Sequence, residues 1–279
     1  MNRNIHIIII LLIFHLTHAQ VQKYHSFTIN NGLSDAYIKC FAQDEYGYIW
    51  IGTESGLNCF DGYDFRHFLF ENNENSIADN YISSLAAPGN GKLYIGTNDG
   101  FSIYTMKNQT FANFYTDSTN NNSLPDNHIL CMEQGINSNL WIGTNAGGLC
   151  AFNTKTEIFT AFPHDSVGAV TTLHYDGKNF LWTGTYKNGV YIFNIREKEF
   201  KRFRIPFKTG KINDIYIDKY QNVWIGTALN GLIHYNPEND TFQLFFKSYP
   251  DYLLAKRNRI NKILEDKNGT LWIDRKSVV

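Results

Sequence analysis

A short motif that recurs at nearly constant spacing constrains the fold of this 279-residue chain more than any other feature. An aromatic residue, then Ile or Thr, then Gly-Thr, occurs at 50–53, 94–97, 141–144, 182–185 and 224–227. The glycines are separated by 44, 47, 41 and 42 positions, and a sixth, altered copy ends with Asp274 where glycine is expected. Self-similarity at a long, fixed period indicates a repeat architecture.

Each copy of the motif has the same surroundings. An alternating strand precedes it, as in 212–218, and Gly-Leu with a second apolar strand follows, as in 231–235. A Phe-x-x-Phe segment closes the unit, as in 242–245. Each unit therefore holds four short strands, a to d, and four strands per roughly 43 residues is the sheet of one β-propeller blade. A β-sandwich does not repeat its sequence at such a period, and a β-helix repeats much faster.

We therefore predict an all-β chain: a β-propeller of four-stranded antiparallel blades, with five complete blades, a partial sixth and an incomplete ring. The turn between strands a and b reads Asp-x-x-Gly at 44–47 and 266–269. There Asp can bond its own downstream backbone and Gly can accept positive φ. We assign these recurring aspartates to the blades rather than to a calcium loop or a catalytic pair, because a residue required once per blade serves the blade.

The N-terminus predicts an export signal over residues 1–19. Arg3 lies in a short positive segment, an apolar run of about 12 residues follows, and Ala19 is a small residue at the cleavage position. The rival interpretation is an uncleaved anchor, but a membrane-spanning helix needs about 20 apolar residues. The propeller domain then occupies 20–279, with a strand d for closure at 24–29, blades at about 33–70, 78–116, 125–163, 168–205 and 210–247, and a partial blade at 258–273. Because the sixth copy lacks strand c, we expect the front part of a longer protein, with partner-assisted closure or a gapped six-blade ring as alternatives.

Four cysteines remain after the export signal, and in an exported chain an even number suggests disulfides. Cys40 and Cys59 fall on strands a and c of the first blade, and Cys131 and Cys150 fall on those of the third. Strand b separates each pair, which puts them about 9.6 Å apart. A disulfide needs Cα atoms within about 7 Å, so we predict four unpaired thiols.

Catalytic and cofactor motifs are absent from the sequence. There is no Gly-x-Ser-x-Gly elbow and no Gly-rich phosphate loop, and the histidines and cysteines lack metal-ligand spacing. We predict no catalytic residue, no metal and no cofactor. The net charge of −1, without a basic run, argues against a nucleic-acid partner.

A ligand would bind at the propeller face that carries the d–a and b–c loops. Amides, carboxylates and aromatic rings gather there, and such mixtures bind sugars because amides bond hydroxyls and rings cover apolar sugar faces. The alternative is that Asn and Gly simply make good turns. The candidate ligand-binding residues are Glu54, Asn98, Asp99, Asn145, Tyr186, Lys187, Asn188 and Asn230 in the b–c loops, with Tyr37, Tyr81 and His128 at the entry to strand a.

The repeat resembles that of the two-component regulator propeller family, which has the form V-x-x-I-x-x-D-x-x-G-x-L-W-I-G-T-x-x-G-L-x-x-F. Copies one, three and five match it well, and the opening Asn31-Gly32-Leu33-Ser34 is typical of the family's start. The resemblance implies the periplasmic sensor region of a hybrid two-component histidine kinase of the Bacteroidetes type, anchored in the inner membrane. In such proteins a second propeller, a linker and the kinase follow, and a homodimer is compatible with the full-length context.

The resemblance further implies a module without enzymatic activity of its own that recognises an oligosaccharide or another polar ligand. Two alternatives stay open at this point. One is a glycan-active propeller enzyme, a lyase or hydrolase, which would need paired carboxylates or a His–Tyr pair converging in the channel. The other is a non-catalytic interaction scaffold.

Overall fold

The computed structural model describes residues 26–245 and 258–275, and regular structure in this part of the chain is almost entirely β-strand. Five sheets of four antiparallel strands follow one another along the chain, and a sixth sheet has two strands. In each sheet the strands are ordered as in the sequence, so each is an up-and-down meander. The predicted all-β fold of four-stranded antiparallel propeller blades is confirmed. None of the helical segments described is long and apolar enough to span a bilayer.

The strands match the four predicted segments of each repeat. Blade one contains β1 (Ile38–Gln43), β2 (Ile49–Thr53), β3 (Gly56–Phe60) and β4 (Phe65–Phe68). Blade two contains β5 (Ile82–Ala86), β6 (Lys92–Thr97), β7 (Gly100–Thr105) and β8 (Thr110–Phe114). Blade three contains β9 (Ile129–Gln134), β10 (Asn139–Thr144), β11 (Leu149–Asn153) and β12 (Ile158–Phe162).

The second half of the chain continues the same order. Blade four contains β13 (Val170–Tyr175), β14 (Phe180–Thr185), β15 (Val190–Asn194) and β16 (Glu199–Phe203). Blade five contains β17 (Ile212–Ile217), β18 (Val223–Thr227), β19 (Leu232–Asn236) and β20 (Thr241–Phe245). The two-stranded sixth sheet contains β21 (Ile260–Glu265) and β22 (Leu271–Arg275).

The first strand of each sheet lies nearest a common axis. β1 contacts β5, β5 contacts β9, and the series continues through β13 and β17 to β21. The second strand of one sheet also contacts the first strand of the next, as β10 does with β13. The sheets are therefore arranged around an axis lined by the first strands, and the fourth strands lie outermost.

The glycine of the recurring motif is the point at which successive blades meet. A Cβ built on Gly143 would lie 2.5 Å from Cγ1 of Val170 in the next blade and 2.6 Å from Sγ of Cys131 in its own. The corresponding glycines face Ile82, Ile129, Ile212 and Ile260 in the same way. These side chains are fully buried, whereas Ile38 of blade one, which no described blade precedes, is 40% exposed. Glycine is required here for close approach, and the strand opposite it contains a bulge.

The turn aspartates hold the a–b hairpins, as predicted. Asp44 accepts hydrogen bonds from the backbone N–H of Tyr46 (2.9 Å) and of Tyr48 (3.0 Å) and from Nε1 of Trp50 (2.8 Å). Asp218 and Asp266 accept the equivalent indole bond from the tryptophans of blades five and six, each at 2.9 Å. The aspartate thus joins the turn to the aromatic residue of strand b.

Two expectations at the N-terminus have different outcomes. The predicted signal peptide at 1–19 lies outside the described residues. The predicted closure strand at 24–29 is wrong in its described part, because residues 26–28 form no strand and Ile29–Asn31 form a 3-10 turn. Phe27 instead packs on Phe60 and Phe65 of blade one, at ring-centroid distances of 4.9 and 5.6 Å. Thr28 caps the turn, so local contacts occupy the groups that a strand would have used.

The cysteine prediction is confirmed. Cys40, Cys59, Cys131 and Cys150 are all free thiols. Burial raises the pKa of the Cys40 and Cys131 thiols to about 12 and that of Cys59 to about 11. The thiols therefore serve as small core side chains.

Candidate functional site

The residue that directly precedes each innermost strand occupies an equivalent position in every blade. In blades one to five its carbonyl accepts a hydrogen bond from the first residue of the following b–c loop, at 2.9 to 3.2 Å. The backbone bonds thus fix five equivalent positions around one end of the axis, and Arg259, which directly precedes β21, is the corresponding residue of the sixth sheet. We call these six positions the rim: Tyr37, Tyr81, His128, Ala169, Lys211 and Arg259.

The structure brings together most of the candidate residues predicted from the sequence. Glu54, Asn98, Asn145 and Tyr186 donate the backbone bonds to the rim carbonyls of blades one to four. The rim therefore contains the predicted Tyr37, Tyr81 and His128 beside these loop residues. Tyr37 is 69% exposed and Tyr186 is 53% exposed, so both rings are open to solvent.

Three of the predicted residues use their side chains to tie loops together. The Asp99 carboxylate accepts a bond from Nδ2 of Asn127 at 2.8 Å. Asn188 donates from Nδ2 to the carbonyl of Ser166 at 2.8 Å, and Asn230 donates in the same way to the carbonyl of Lys208. The Asp99 bond connects a b–c loop to the d–a loop that follows it, and the other two connect a b–c loop to the d–a loop that precedes it. For these three side chains the structure favours the turn-forming alternative over ligand contact.

Glu54 and Tyr81 meet through a lysine that the sequence analysis did not select. Nζ of Lys39 lies 2.5 Å from the Glu54 carboxylate and 5.2 Å from the centre of the Tyr81 ring. Partial burial lowers the pKa of this lysine, but the hydrogen bonds with Glu54 and Tyr81 outweigh that effect and raise it overall. Lys39 is therefore a paired cation at the rim.

Two further cations of the rim were also missed. Lys211 and Arg259 occupy the same positions in blades five and six as the tyrosines do in blades one and two. Burial lowers the pKa of Lys211, and the positive charges of Arg259 and Lys39 lower it further. The sequence signal was available, because aligning the repeats places these residues beside the predicted ones.

Titratable side chains also line the axis beyond the rim. Glu133 on β9 accepts a hydrogen bond from the backbone N–H of Tyr175 on β13 at 3.1 Å. His174 on β13 accepts one from Ile217 on β17 at 3.3 Å, and Asp214 on β17 accepts one from Ile263 on β21 at 2.8 Å. These side chains therefore satisfy backbone donors on the open inner edge of the next blade.

The environment of the axis shifts the pKa of two of these groups. Burial raises the pKa of Glu133 to about 7. Burial, together with the positive charge of Lys262, lowers the pKa of His174 to about 4. Lys262 itself pairs with the buried Asp214 carboxylate at 2.8 Å. Within the described ranges, no group of three or more His, Cys, Asp or Glu side chains is arranged to hold a metal ion.

The geometry defines a class of protein: an array of β-propeller blades with a polar and aromatic rim at one end of its axis. The sequence model of the two component regulator propeller family matches residues 32–55, 123–146 and 206–228. Each match covers the loop before a first strand and the a–b hairpin that follows it. The chain therefore carries repeats that match the two-component regulator propeller model in these three segments.

Solved structures agree with this assignment. The extracellular domain of the hybrid two component system BT3049 from B. thetaiotaomicron aligns with 90% of this chain at 26% identity and a TM-score of 0.78. A streptogramin B lyase aligns with 91% of this chain and with 80% of the lyase chain, at a TM-score of 0.70. Because the identity is 15%, this likeness concerns the fold alone.

The matched relatives are much longer than this chain. It spans about a third, 34%, of the BT3049 domain. Histidine kinase P4 of Formosa agariphila is 42% identical over 50 residues, which are 18% of this chain and 4% of that protein.

Proposed function

We propose that this chain is an extracellular ligand-sensing propeller module of a two-component system. The observation that carries the proposal is a structural match to the extracellular domain of a hybrid two-component system, which covers 90% of this chain. The family repeat supports it independently. The module itself is non-catalytic, and signalling requires the linker and kinase segments that follow propellers in hybrid regulators. A homodimer in that full-length context agrees with the proposal.

The rim is the place at which this module binds its ligand. The exposed ring of its Tyr37 lies on the same face as the exposed b–c loop residues Asn98, Asn145 and Tyr186. Aromatic rings cover the apolar faces of sugars, and amides bond their hydroxyls. The ligand class that this surface fits best is an oligosaccharide.

Titration calorimetry with defined polysaccharide fragments tests the proposal. We expect saturable binding without consumption of the fragment, and a loss of affinity of at least tenfold in Tyr37→Ala. Tyr46→Ala is a matched control, because Tyr46 is a similarly exposed tyrosine (67%, against 69% for Tyr37) in the a–b turn of blade one, away from the rim. Absence of binding by every fragment would support a scaffold instead.

Export to the periplasm is part of the same proposal. The predicted cleavage after Ala19 supports it, and N-terminal sequencing of the protein recovered from the periplasm of a Gram-negative host tests it. We expect the mature chain to begin at Gln20. Recovery of the chain from the cytoplasm with Met1 retained would contradict export.

A glycan lyase or hydrolase is the second candidate, and one observation favours it. The rings of His174 and Tyr216 lie 5.3 Å apart on adjacent innermost strands, which is the kind of pair that the sequence analysis required. However, Nε2 of His174 already accepts a backbone bond, and the Tyr216 hydroxyl lies 3.3 Å from the Glu265 carboxylate. Turnover of a fragment that His174→Ala abolishes would establish the enzyme in place of the sensor.

A further inference from the structure

The rim is chemically divided into two halves. In blade order its side chains are aromatic at Tyr37, Tyr81 and His128, small at Ala169 and cationic at Lys211 and Arg259. Five of these positions share the same backbone bond, and all six directly precede an innermost strand, so the division comes from side-chain identity and not from a change in the fold. A ligand that spans the rim thus meets aromatic rings on one side and positive charge on the other.

Among the described residues, the two cations of the rim have no ion-pair partner. Ion pairs in the described part of the chain join Lys39 to Glu54, Lys92 to Glu157 and Lys262 to Asp214, and none includes Lys211 or Arg259. Lys211 is nevertheless partly buried, while Arg259 is exposed. Removing a cation from water without a partner is unfavourable, and an adjacent like charge adds to that cost. An anion bound between Lys211 and Arg259 removes both penalties.

The lowered pKa of Lys211 agrees with this placement. Its causes are burial and the charges of Arg259 and Lys39, so all three cations act on the same space. Glu54 neutralises Lys39 but makes no ion pair with the other two. The six rim side chains therefore include two cations and no carboxylate, on a chain whose overall charge is −1.

The neighbouring side chains favour a sugar as the carrier of the negative charge. Tyr37 projects an open ring surface, and a ring of this kind packs against the C–H face of a pyranose. Ala169 lies between the aromatic and cationic halves and is the smallest side chain of the rim. It leaves space for a ligand to extend from one half to the other.

We propose that the rim binds an acidic glycan, with a carboxylate or sulfate held by Lys211 and Arg259 and the sugar ring packed on Tyr37 and Tyr81. This inference rests on the proposed sensing function and narrows its ligand from oligosaccharides in general to those bearing an oxyanion. The guanidinium of Arg259 can bond two oxygens of such a group, and Lys211 contributes a point charge.

The test is calorimetric titration of the full chain with four tetrasaccharides. They are a polygalacturonate fragment, its methyl ester, a sulfated galactan fragment and the corresponding neutral galactan. We expect binding of at least one acidic fragment, with affinity that falls as salt rises, and at least tenfold weaker binding of the uncharged counterpart. The carboxylated and sulfated fragments distinguish the two sources of the oxyanion.

Substitutions locate the contact. Lys211→Met should weaken binding of the acidic fragment at least tenfold, and Lys211→Arg should restore most of it because the charge is kept. Lys201→Met is the control, since Lys201 is exposed on the outermost strand β16 of blade four, away from the rim. This variant should bind the acidic fragment as tightly as the parent chain does. Thermal melts of each variant confirm that the fold is retained.

The outcomes separate the two proposals. Equal binding of charged and neutral fragments, or acidic binding unchanged by Lys211→Met, overturns the acidic-glycan inference and leaves glycan sensing in place. If no fragment binds, both fall.

Discussion

Replacing Asp44 by alanine tests whether the turn aspartate stabilises a blade mainly through its bond to the buried tryptophan. Asp44 is 6% exposed and Trp50 is 3% exposed, and the carboxylate accepts two backbone bonds in addition to that from the indole. In Asp44→Ala the two turn N–H groups can bind water, whereas the indole N–H stays in the core. A buried donor without a partner costs about 1–3 kcal/mol, and a hydrogen bond to a charged group contributes about 1.5–3 kcal/mol. We expect a loss of about 3 kcal/mol.

The measurement is urea unfolding followed by circular dichroism, with Asp266→Ala as the matched control. Asp266 accepts the same three bonds, at 2.9, 3.0 and 2.9 Å, but its partner Trp272 is 61% exposed. Its removal should cost clearly less, because water replaces every lost bond. Equal losses in the two variants would refute the reasoning, since they would mean that the number of bonds, and not burial, sets the energy.

A double-mutant cycle isolates the indole bond. Trp50→Phe removes the donor while keeping an aromatic side chain in contact with Phe68 and Tyr104. In that background Asp44→Ala should cost about 1–3 kcal/mol less than in the parent, because no buried N–H is left unpaired. An unchanged cost would assign the effect of Asp44 to the turn alone.

Three further perturbations have defined outcomes. Gly143→Ala should lower the free energy of unfolding by about 1–3 kcal/mol in urea, because its methyl group would overlap Val170 and Cys131; a neutral effect would show that the blades separate easily. Glu133 has its pKa raised from 4.5 to about 7, so the folded state binds the proton more tightly and stability falls as pH rises from about 4.5 to 7. Glu133→Gln should therefore be more stable, relative to the parent, at pH 8 than at pH 5, by at most about 3 kcal/mol, and a pH-independent difference would contradict the shift. Finally, a thiol reagent should titrate four thiols in urea and react slowly with the native chain, because burial raises the thiol pKa values, and one rapidly reacting thiol in the native state would contradict the placement of the cysteines.

The sheets could be predicted because the residues that shape each sheet lie close together in the sequence and recur from one repeat to the next. The motif glycine, the turn aspartate and the Phe-x-x-Phe pair each recur within a unit of about 43 residues. A strand assignment made for one copy is therefore checked by the others. The free cysteines followed from the same assignment, since strand b separates Cys40 from Cys59 and Cys131 from Cys150.

The closure strand could not be predicted, because its pattern does not specify its partner. Phe27 has the spacing of a strand d residue, but its ring finds Phe60 and Phe65 in blade one. A contact with nearby blade one closes a short loop, whereas pairing with the last sheet closes one of more than two hundred residues, which costs more chain entropy. The Thr28 cap then fixes the 3-10 turn, a local feature that the alternating pattern did not reveal.

Blade three shows that a repeat without the turn aspartate still forms a four-stranded sheet. Gly135 stands where the hairpins of blades one, four, five and six have aspartate, and the indole N–H of Trp141 is buried without a hydrogen-bond partner in the described structure. A Cβ at residue 135 would lie 2.5 Å from Nε1 of Trp141, so the hairpin has adjusted its backbone to glycine. The aspartate therefore stabilises a blade without being required for its formation.

The candidate site was only partly predictable from the sequence. The search for aromatic and amide side chains found part of the rim, but the position before each innermost strand identifies all of it. Tyr37, Tyr81 and His128 were selected for their rings, whereas Lys211 and Arg259 occupy the same rim positions with different chemistry. Three selected residues, Asp99, Asn188 and Asn230, proved to tie loops together, which depends on partners in another loop that the sequence does not identify.

Repetition within one chain separates structural from functional positions. The first residue of each innermost strand is Ile or Val in all six sheets, and in sheets two to six it packs against the glycine of the preceding blade. One residue earlier, the rim has the same backbone bond in blades one to five, yet its side chain changes from aromatic to small to cationic. The fold therefore requires the backbone at the rim and does not dictate the side chains there. Side chains that differ between blades while the backbone stays the same can evolve to fit a ligand. The uneven charge around the rim is such a feature, because blade stability does not explain it.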